Sequence, residues 1–333
     1  MKKRLCLLLA ACLLVSLAAC GDPAPAPTTA APTEVLTTSA TDPAPTRPTG
    51  KEALQGKKII FIGNSYTFFG NTVIFKNQDV LSQAERSYDH GYFYQLCKKN
   101  GIEVAVTNWT FGSHDISSMF GGACYNGELC LDEYHEYYLQ DAYFDYVCIQ
   151  PSKEKEFTGD IITHLQYTMD FFRKVNPDVQ FLLLVPHMAA EKNYGWFKQI
   201  DKLHDKAGVT ICNWGGMLHD ICEGKTQVPG ATLTYDRSSF VNSKDNHHEN
   251  LLAGYITTLM VYCAITGESA VGQPYDFCND STLDSHFDFA VHKAKYYPDG
   301  GETNFIEIFQ SEVDMQGLQS LTDQYIAQFN GGN

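Results

Sequence analysis

Lys57-Lys58-Ile59-Ile60-Phe61-Ile62-Gly63-Asn64-Ser65 joins a basic doublet to four large apolar residues, then a glycine and two small polar residues. A strand with one face in water alternates apolar and polar residues; a strand covered on both faces does not. Ile59–Ile62 therefore reads as a parallel strand buried on both sides. Gly63 marks the turn at which the chain leaves it.

Further along, four more short runs have the same character: Glu103–Asn108, Asp145–Gln150, Gln180–Pro186 and Gly208–Asn213. Helical patterns separate them. Over Asp160–Lys174, apolar residues recur at Ile161, Leu165, Met169 and Phe172, and Asn176-Pro177 ends the pattern. The strongest helix is predicted over Asn250–Ala264, with apolar residues at i, i+4 and i+8 and Gly267 beyond its end. Strand and helix alternating five times over predict an α/β fold. We expect a doubly wound, flavodoxin-like parallel sheet of about five strands in a three-layer α/β/α domain over residues 57–333. The tail near 270–333 shows no clear pattern.

Reactive groups of an open α/β sheet belong on loops at the carboxyl ends of its strands. Ser65 follows the first strand there. It could present its hydroxyl as a nucleophile while its backbone N–H faces a developing oxyanion, or it could simply cap the next helix. Asp245-Asn246-His247-His248 precedes the strong helix. An Asp three residues before a His can hold one imidazole nitrogen and leave the other to accept a proton from serine. The alternatives are a solvated loop with Asp245 as a turn residue, or a metal site at His247, His248 and Glu249. Adjacent residues seldom face one ion and HExxH is absent, so no metal is expected. In Thr110-Phe111-Gly112-Ser113-His114, after the second strand, Gly112 permits close approach of its N–H to a reacting carbonyl. Gln150 ends the third strand with an amide that can donate to the same oxygen. His187, after the fourth strand, either lines the pocket or is a satisfied structural histidine.

Taken in order, these blocks resemble the SGNH (GDSL-like) hydrolase superfamily over residues 57–267. Gly63-Asn64-Ser65 stands for its Gly-Asp-Ser block, Gly112 for the second-block glycine, and Asp245/His248 for Asp-x-x-His. The sequence departs from the pattern where Asn64 replaces Asp and Gln150 replaces Asn. The form Gly-Asn-Ser-aromatic-Thr is similar to a bacterial lipoprotein subgroup of the superfamily. The resemblance implies a metal-independent serine esterase without cofactor. Its catalytic residues would be Ser65, His248 and Asp245, its oxyanion hole Ser65, Gly112 and Gln150, and its substrate contacts Asn64, Tyr66, Ser113 and His187. The rivals are a non-hydrolytic glycan- or peptide-binding lipoprotein on the same fold and an O-acyltransferase using the same site. GxSxG, GxxxxGK[ST] and GxGxxG are absent, so an ordinary nucleophile elbow and nucleotide binding have no support.

At the other end of the chain, Lys2, Lys3 and Arg4 precede the apolar run Leu5–Leu17, the pattern of an export signal over residues 1–19. Leu17-Ala18-Ala19-Cys20 resembles a bacterial lipobox, which makes Cys20 the lipid attachment point; a chance cysteine beside an ordinary cleavage site is the alternative. Residues 21–50 hold seven of the 13 prolines and eight threonines. Such a segment has little to bury and reads, over 20–56, as an extended stalk that could carry O-linked sugar.

Removing the signal leaves 21 basic against 39 acidic residues, a net of −18. That charge disfavours nucleic acid and anionic lipid surfaces, leaving the N-terminal lipid as the membrane contact. With 44% hydrophobic and 13% aromatic residues the chain can bury a sizeable core. Aromatics near the site, among them Tyr66, Phe68, Phe69, Trp109, Phe111 and Trp196, suit stacking on sugar rings or packing in the core. An O-acetylated glycan or other small ester is the expected substrate, and a monomer facing outside the cytoplasm the expected form. Eight cysteines remain beyond Cys6, Cys12 and Cys20. Cys124/Cys130 is the expected local pair, and Cys97 and Cys148 read as buried thiols.

Overall fold

The computed structural model describes residues 48–68, 70, 72–73, 91–110, 143–151, 161–241, 246–279 and 311–330. Strands β1 (Lys57–Gly63), β2 (Val104–Thr110), β3 (Tyr146–Ile149), β4 (Gln180–Leu184) and β5 (Thr210–Cys212) form one parallel sheet in the order β2-β1-β3-β4-β5. This is the doubly wound, flavodoxin-like order. The direction of winding reverses between β1 and β3, which pair from Ile59 opposite Tyr146 to Ile62 opposite Ile149. The crevice at the carboxyl ends of those two strands is where such a sheet places its reactive groups.

The described helices are α1 (Ser65–Phe68), α2 (Gly91–Lys99), α3 (Ile161–Arg173), α4 (His187–Glu191), α5 (Leu203–Ala207), α6 (Trp214–Cys222), α7 (Leu251–Thr266) and α8 (Glu312–Asn330). Successive residues of β1 point to opposite layers. Ile59 and Phe61 enter a core shared with α2, α6, α7 and α8, whereas Ile60 and Ile62 enter one shared with α3 and α5. All four are fully buried, which is why the run carries no polar alternation. Each such side chain contributes about 1.5–3 kcal/mol relative to leaving it exposed.

Three expectations change. Residues 50–56 belong to the fold, not the stalk: Gly50–Ala53 form a 3-10 turn, Ala53 and Leu54 are buried, and the Tyr146 hydroxyl donates to the Ala53 carbonyl at 2.9 Å. Helix α7 begins at its Asn250 cap and closes at Gly267 as its sequence suggests, but it is buried on every side, with Ala264 alone excepted. The unpatterned tail contains α8. Its inner face includes Asp314, Gln319 and Thr322, and Asp314 accepts hydrogen bonds from the Thr232 N–H (2.9 Å), the Thr232 hydroxyl (2.6 Å) and the Tyr235 hydroxyl (3.2 Å). At its far end Asn330 covers the edge strand, accepting from the Ile211 N–H at 2.6 Å and donating to the Ile211 carbonyl at 2.9 Å.

Among the described residues, six cysteines carry free thiols: Cys97, Cys148, Cys212, Cys222, Cys263 and Cys278. Cys124 and Cys130 lie outside the described residues, as do the signal, Cys20 and the stalk up to residue 47. Among the described residues no helix is long and apolar enough to cross a membrane.

Helix α7 lies on the backbone of Gly70. A Cβ built on Gly254 would sit 1.7 Å from the Gly70 carbonyl oxygen. Alanine in a helix gains about 1 kcal/mol over glycine in propensity. Overpacking against backbone, which no rotamer change relieves, costs about 1–3 kcal/mol or more. Gly254→Ala should therefore lower the thermal unfolding midpoint despite its better helix propensity; an unchanged or raised midpoint would contradict this packing.

Candidate active site

Gly63, the last residue of β1, has no room for a side chain: a Cβ there would meet Thr67 Oγ1 at 2.6 Å and Gln150 Cβ at 2.9 Å. The chain turns at Asn64, which is buried. Asn64 Oδ1 accepts the Tyr66 N–H at 3.1 Å, and its carbonyl accepts the Thr67 N–H at 2.9 Å. A carboxylate oxygen would accept the same bond, so asparagine serves this turn as the aspartate it replaces would. Ser65, at the start of α1, is partly exposed.

Gln150 crosses from the end of β3 to the same turn. Its Oε1 accepts the Asn64 N–H at 3.3 Å and the Thr67 hydroxyl at 2.9 Å, and its Nε2 donates to the Pro151 carbonyl. The amide thus braces the serine turn, and an oxyanion contact would have to use the second Nε2 hydrogen.

Facing the turn is the segment 246–249, just before the Asn250 cap of α7. His248 Nε2 lies 2.8 Å from Ser65 Oγ. His247 Nε2 lies 2.7 Å from the Tyr66 hydroxyl. Two consecutive residues of the turn thus meet two consecutive residues of the histidine loop. The Tyr66 ring packs against both imidazoles, with centroids 5.3 Å from His247 and 5.6 Å from His248. A serine hydroxyl within hydrogen-bond reach of an imidazole can be deprotonated as it attacks an electrophilic carbon.

Other expected members fall elsewhere. Asp245, Gly112 and Ser113 lie outside the described residues. His187 is buried, with its Nδ1 2.8 Å from Glu249 Oε1. Asn64 and Tyr66 are likewise buried, within the turn itself. The aromatics Phe68, Trp109 and Trp196 are core residues with no exposed ring for a sugar; Phe69 and Phe111 lie outside the described residues. Among the described residues no group of three potential ligands could hold a metal ion. The sequence assigns no role to Thr67, Glu191 or Arg237, and Glu249 enters it only as an alternative metal ligand. Only Thr67 gave a sequence signal, two residues after the serine in the turn motif.

No family model and no curated protein matches this sequence. Among solved structures, the chain is similar to Axe2, an acetylxylan esterase from Geobacillus stearothermophilus, at 10% identity and a TM-score of 0.41 over 65% of this chain and 96% of that one. It is also similar to a candidate GDSL-like lipase from Parabacteroides merdae, at 15% identity and a TM-score of 0.39 over 64% of this chain and 97% of that one. Likenesses at this level carry no argument about activity.

The two histidines differ in what they touch. His248→Ala should slow covalent labelling of Ser65 by a fluorophosphonate at least 100-fold. His247→Ala should retain at least a tenth of the wild-type rate, a loss of about 1.4 kcal/mol or less. Equal losses in the two variants would contradict the division of roles.

Proposed function

We propose that this chain is an ester hydrolase of the SGNH type, exported and tethered through lipid on Cys20. The observation that carries the reading is the 2.8 Å contact between Ser65 Oγ and His248 Nε2 at the switch point of a doubly wound sheet. Ser65 attacks the acyl carbon as His248 takes its proton. The same imidazole then protonates the departing alcohol, and water enters by the reverse sequence. Asp245, three residues before His248, is assigned to fix the imidazole tautomer. The N–H groups of Ser65 and Gly112, with the second Nε2 hydrogen of Gln150, are assigned to the oxyanion. No step needs a metal or an organic cofactor.

With a net charge of −18 after signal removal, the protein repels anionic carriers. Acyl groups on neutral or cationic molecules, O-acetylated glycans among them, are the substrates this favours. A Pro/Thr-rich stalk of about thirty residues would hold the domain some tens of ångströms from the lipid, roughly 30 Å if flexible and 90 Å if polyproline-like.

Residues 47–333 should hydrolyse short p-nitrophenyl acyl esters, and Ser65→Ala should lower turnover by several orders of magnitude with little change in melting temperature. Wild-type turnover in that variant would eliminate the serine mechanism. Anchoring has its own test. Cys20→Ser should move the protein from the detergent phase to the aqueous phase or leave it unprocessed, because two or more acyl chains are what make such an anchor stable. A variant that has lost its signal and is still as firmly membrane-bound as wild type would refute lipidation at Cys20.

A further inference from the structure

Each residue of the segment 246–249 has a separate partner. Asn246 adopts φ +51°, in the left-handed region that costs most residues free energy. Arg237 holds it there, donating from one guanidinium nitrogen to Asn246 Oδ1 and from another to the Asn246 carbonyl at 3.0 Å. Arg237 is itself held by Glu191, whose Oε2 accepts from Nε at 3.2 Å and from a terminal nitrogen at 3.1 Å. The same Glu191 oxygen lies 3.6 Å from His187 Nε2, and His187 Nδ1 lies 2.8 Å from Glu249 Oε1. A chain of charged and polar groups thus starts at residue 246, passes through Arg237, Glu191 and His187, and returns to the backbone at residue 249. It encloses His247 and His248 between its ends.

Two features tie this ring to the rest of the fold. Arg237 belongs to a 3-10 turn, Arg237–Ser239, closed by a capping box from Asp236. That turn is stitched to the far side of the histidines: Val241 bridges Glu249, the Asn250 N–H donates to the Phe240 carbonyl at 2.9 Å, and Asn250 Nδ2 donates to the Ser239 carbonyl at 2.8 Å. The inner half of the ring is dry, with His187 and Glu249 side chains only 7% and 2% exposed. Burial opposes ionisation of Glu191, yet the hydrogen bond and charge of Arg237 hold its carboxyl below the usual range. The planar guanidinium reaches Glu191 and Asn246 from three nitrogens in a fixed fork, a spread that the single nitrogen of a lysine does not reproduce.

We propose that Arg237 and Glu191, acting through Asn246, and His187, acting through Glu249, are positioning residues that fix the reach of His248 to Ser65. None of them touches Ser65. Their effect on reactivity passes through the placement of one imidazole, where an error of about 1 Å can cost 100-fold in rate. The inference rests on Ser65 being a nucleophile activated by His248, and the test separates the two claims.

Full-length wild type, Ser65→Ala, Arg237→Gln and Glu191→Gln are compared by melting temperature, by kcat and KM for p-nitrophenyl acetate, and by the second-order rate of fluorophosphonate labelling. Arg237→Gln and Glu191→Gln should lower kcat and the labelling rate at least tenfold, with KM within twofold and the melting temperature within a few degrees. Arg237→Lys, which keeps the charge but not the fork, should recover only part of the rate. Should Arg237→Gln fail to fold, Glu191→Gln decides by the same criterion. A wild type that does not label overturns the serine mechanism and this role with it. A labelled wild type matched by equally reactive Arg237→Gln or Glu191→Gln overturns the positioning role alone, as does full recovery in Arg237→Lys.

Discussion

Gly254 meets the Gly70 carbonyl so closely that the two backbones are in direct contact, and the placement of the site follows from that approach. Ser65 and His248 are 183 residues apart in sequence. Closing a loop of that length costs on the order of 4–5 kcal/mol in chain entropy. One hydrogen bond returns about 1 kcal/mol. The serine–histidine contact therefore cannot hold its own ends together; the packing of α7 does so. With α7 seated on the chain just beyond the serine turn, its entrance falls opposite Ser65. The Asn250 side chain fixes that entrance, accepting the Ala253 N–H at 3.1 Å and donating to the 3-10 turn that carries Arg237.

How much of this the sequence reveals depends on whether a property is local. The unbroken apolar run of β1 and the Asn250 and Gly267 ends of α7 are local, and each can be read directly. The burial of α7 on all sides is not. Its apolar residues recur at helical spacing, but Thr257 and Thr266 obscure how apolar it is by bonding back to the Ala253 and Tyr262 carbonyls, both at 2.9 Å. Helix α8 escapes notice for the opposite reason. Part of its buried face is polar, and Asp314 reads as a surface residue until Thr232 and Tyr235 are seen around it. The ring around the histidines is illegible in the sequence because its members come from α4, a 3-10 turn and the histidine loop, and no spacing links Glu191 to Arg237 or His187 to Glu249.

The two departures from the pattern that the sequence resembles have a physical reading. Towards Tyr66 and Thr67, Asn64 offers its side-chain oxygen and its backbone carbonyl, acceptors that asparagine and aspartate share. Gln150 has a longer stem than the expected asparagine, and that length carries its oxygen across to the Asn64 N–H and the Thr67 hydroxyl. Gly63 leaves the space through which it reaches. Glycine, threonine and glutamine thus form one unit, and a change at any one of them alters what the other two can do.

The free thiols have a bearing on the life history of the chain. Burial raises the thiols of Cys97, Cys148, Cys212, Cys263 and Cys278 well above their ordinary range, and the less buried Cys222 to about 11. Only the thiolate attacks a disulfide or an oxidant, so in the folded state all six are nearly inert at neutral pH. In the unfolded chain the same six are solvated thiols of ordinary acidity. An oxidising milieu thus tells the two states apart. It leaves these six thiols untouched in a molecule that has already collapsed and cross-links them in one that lingers unfolded, so the speed of folding decides which molecules keep them.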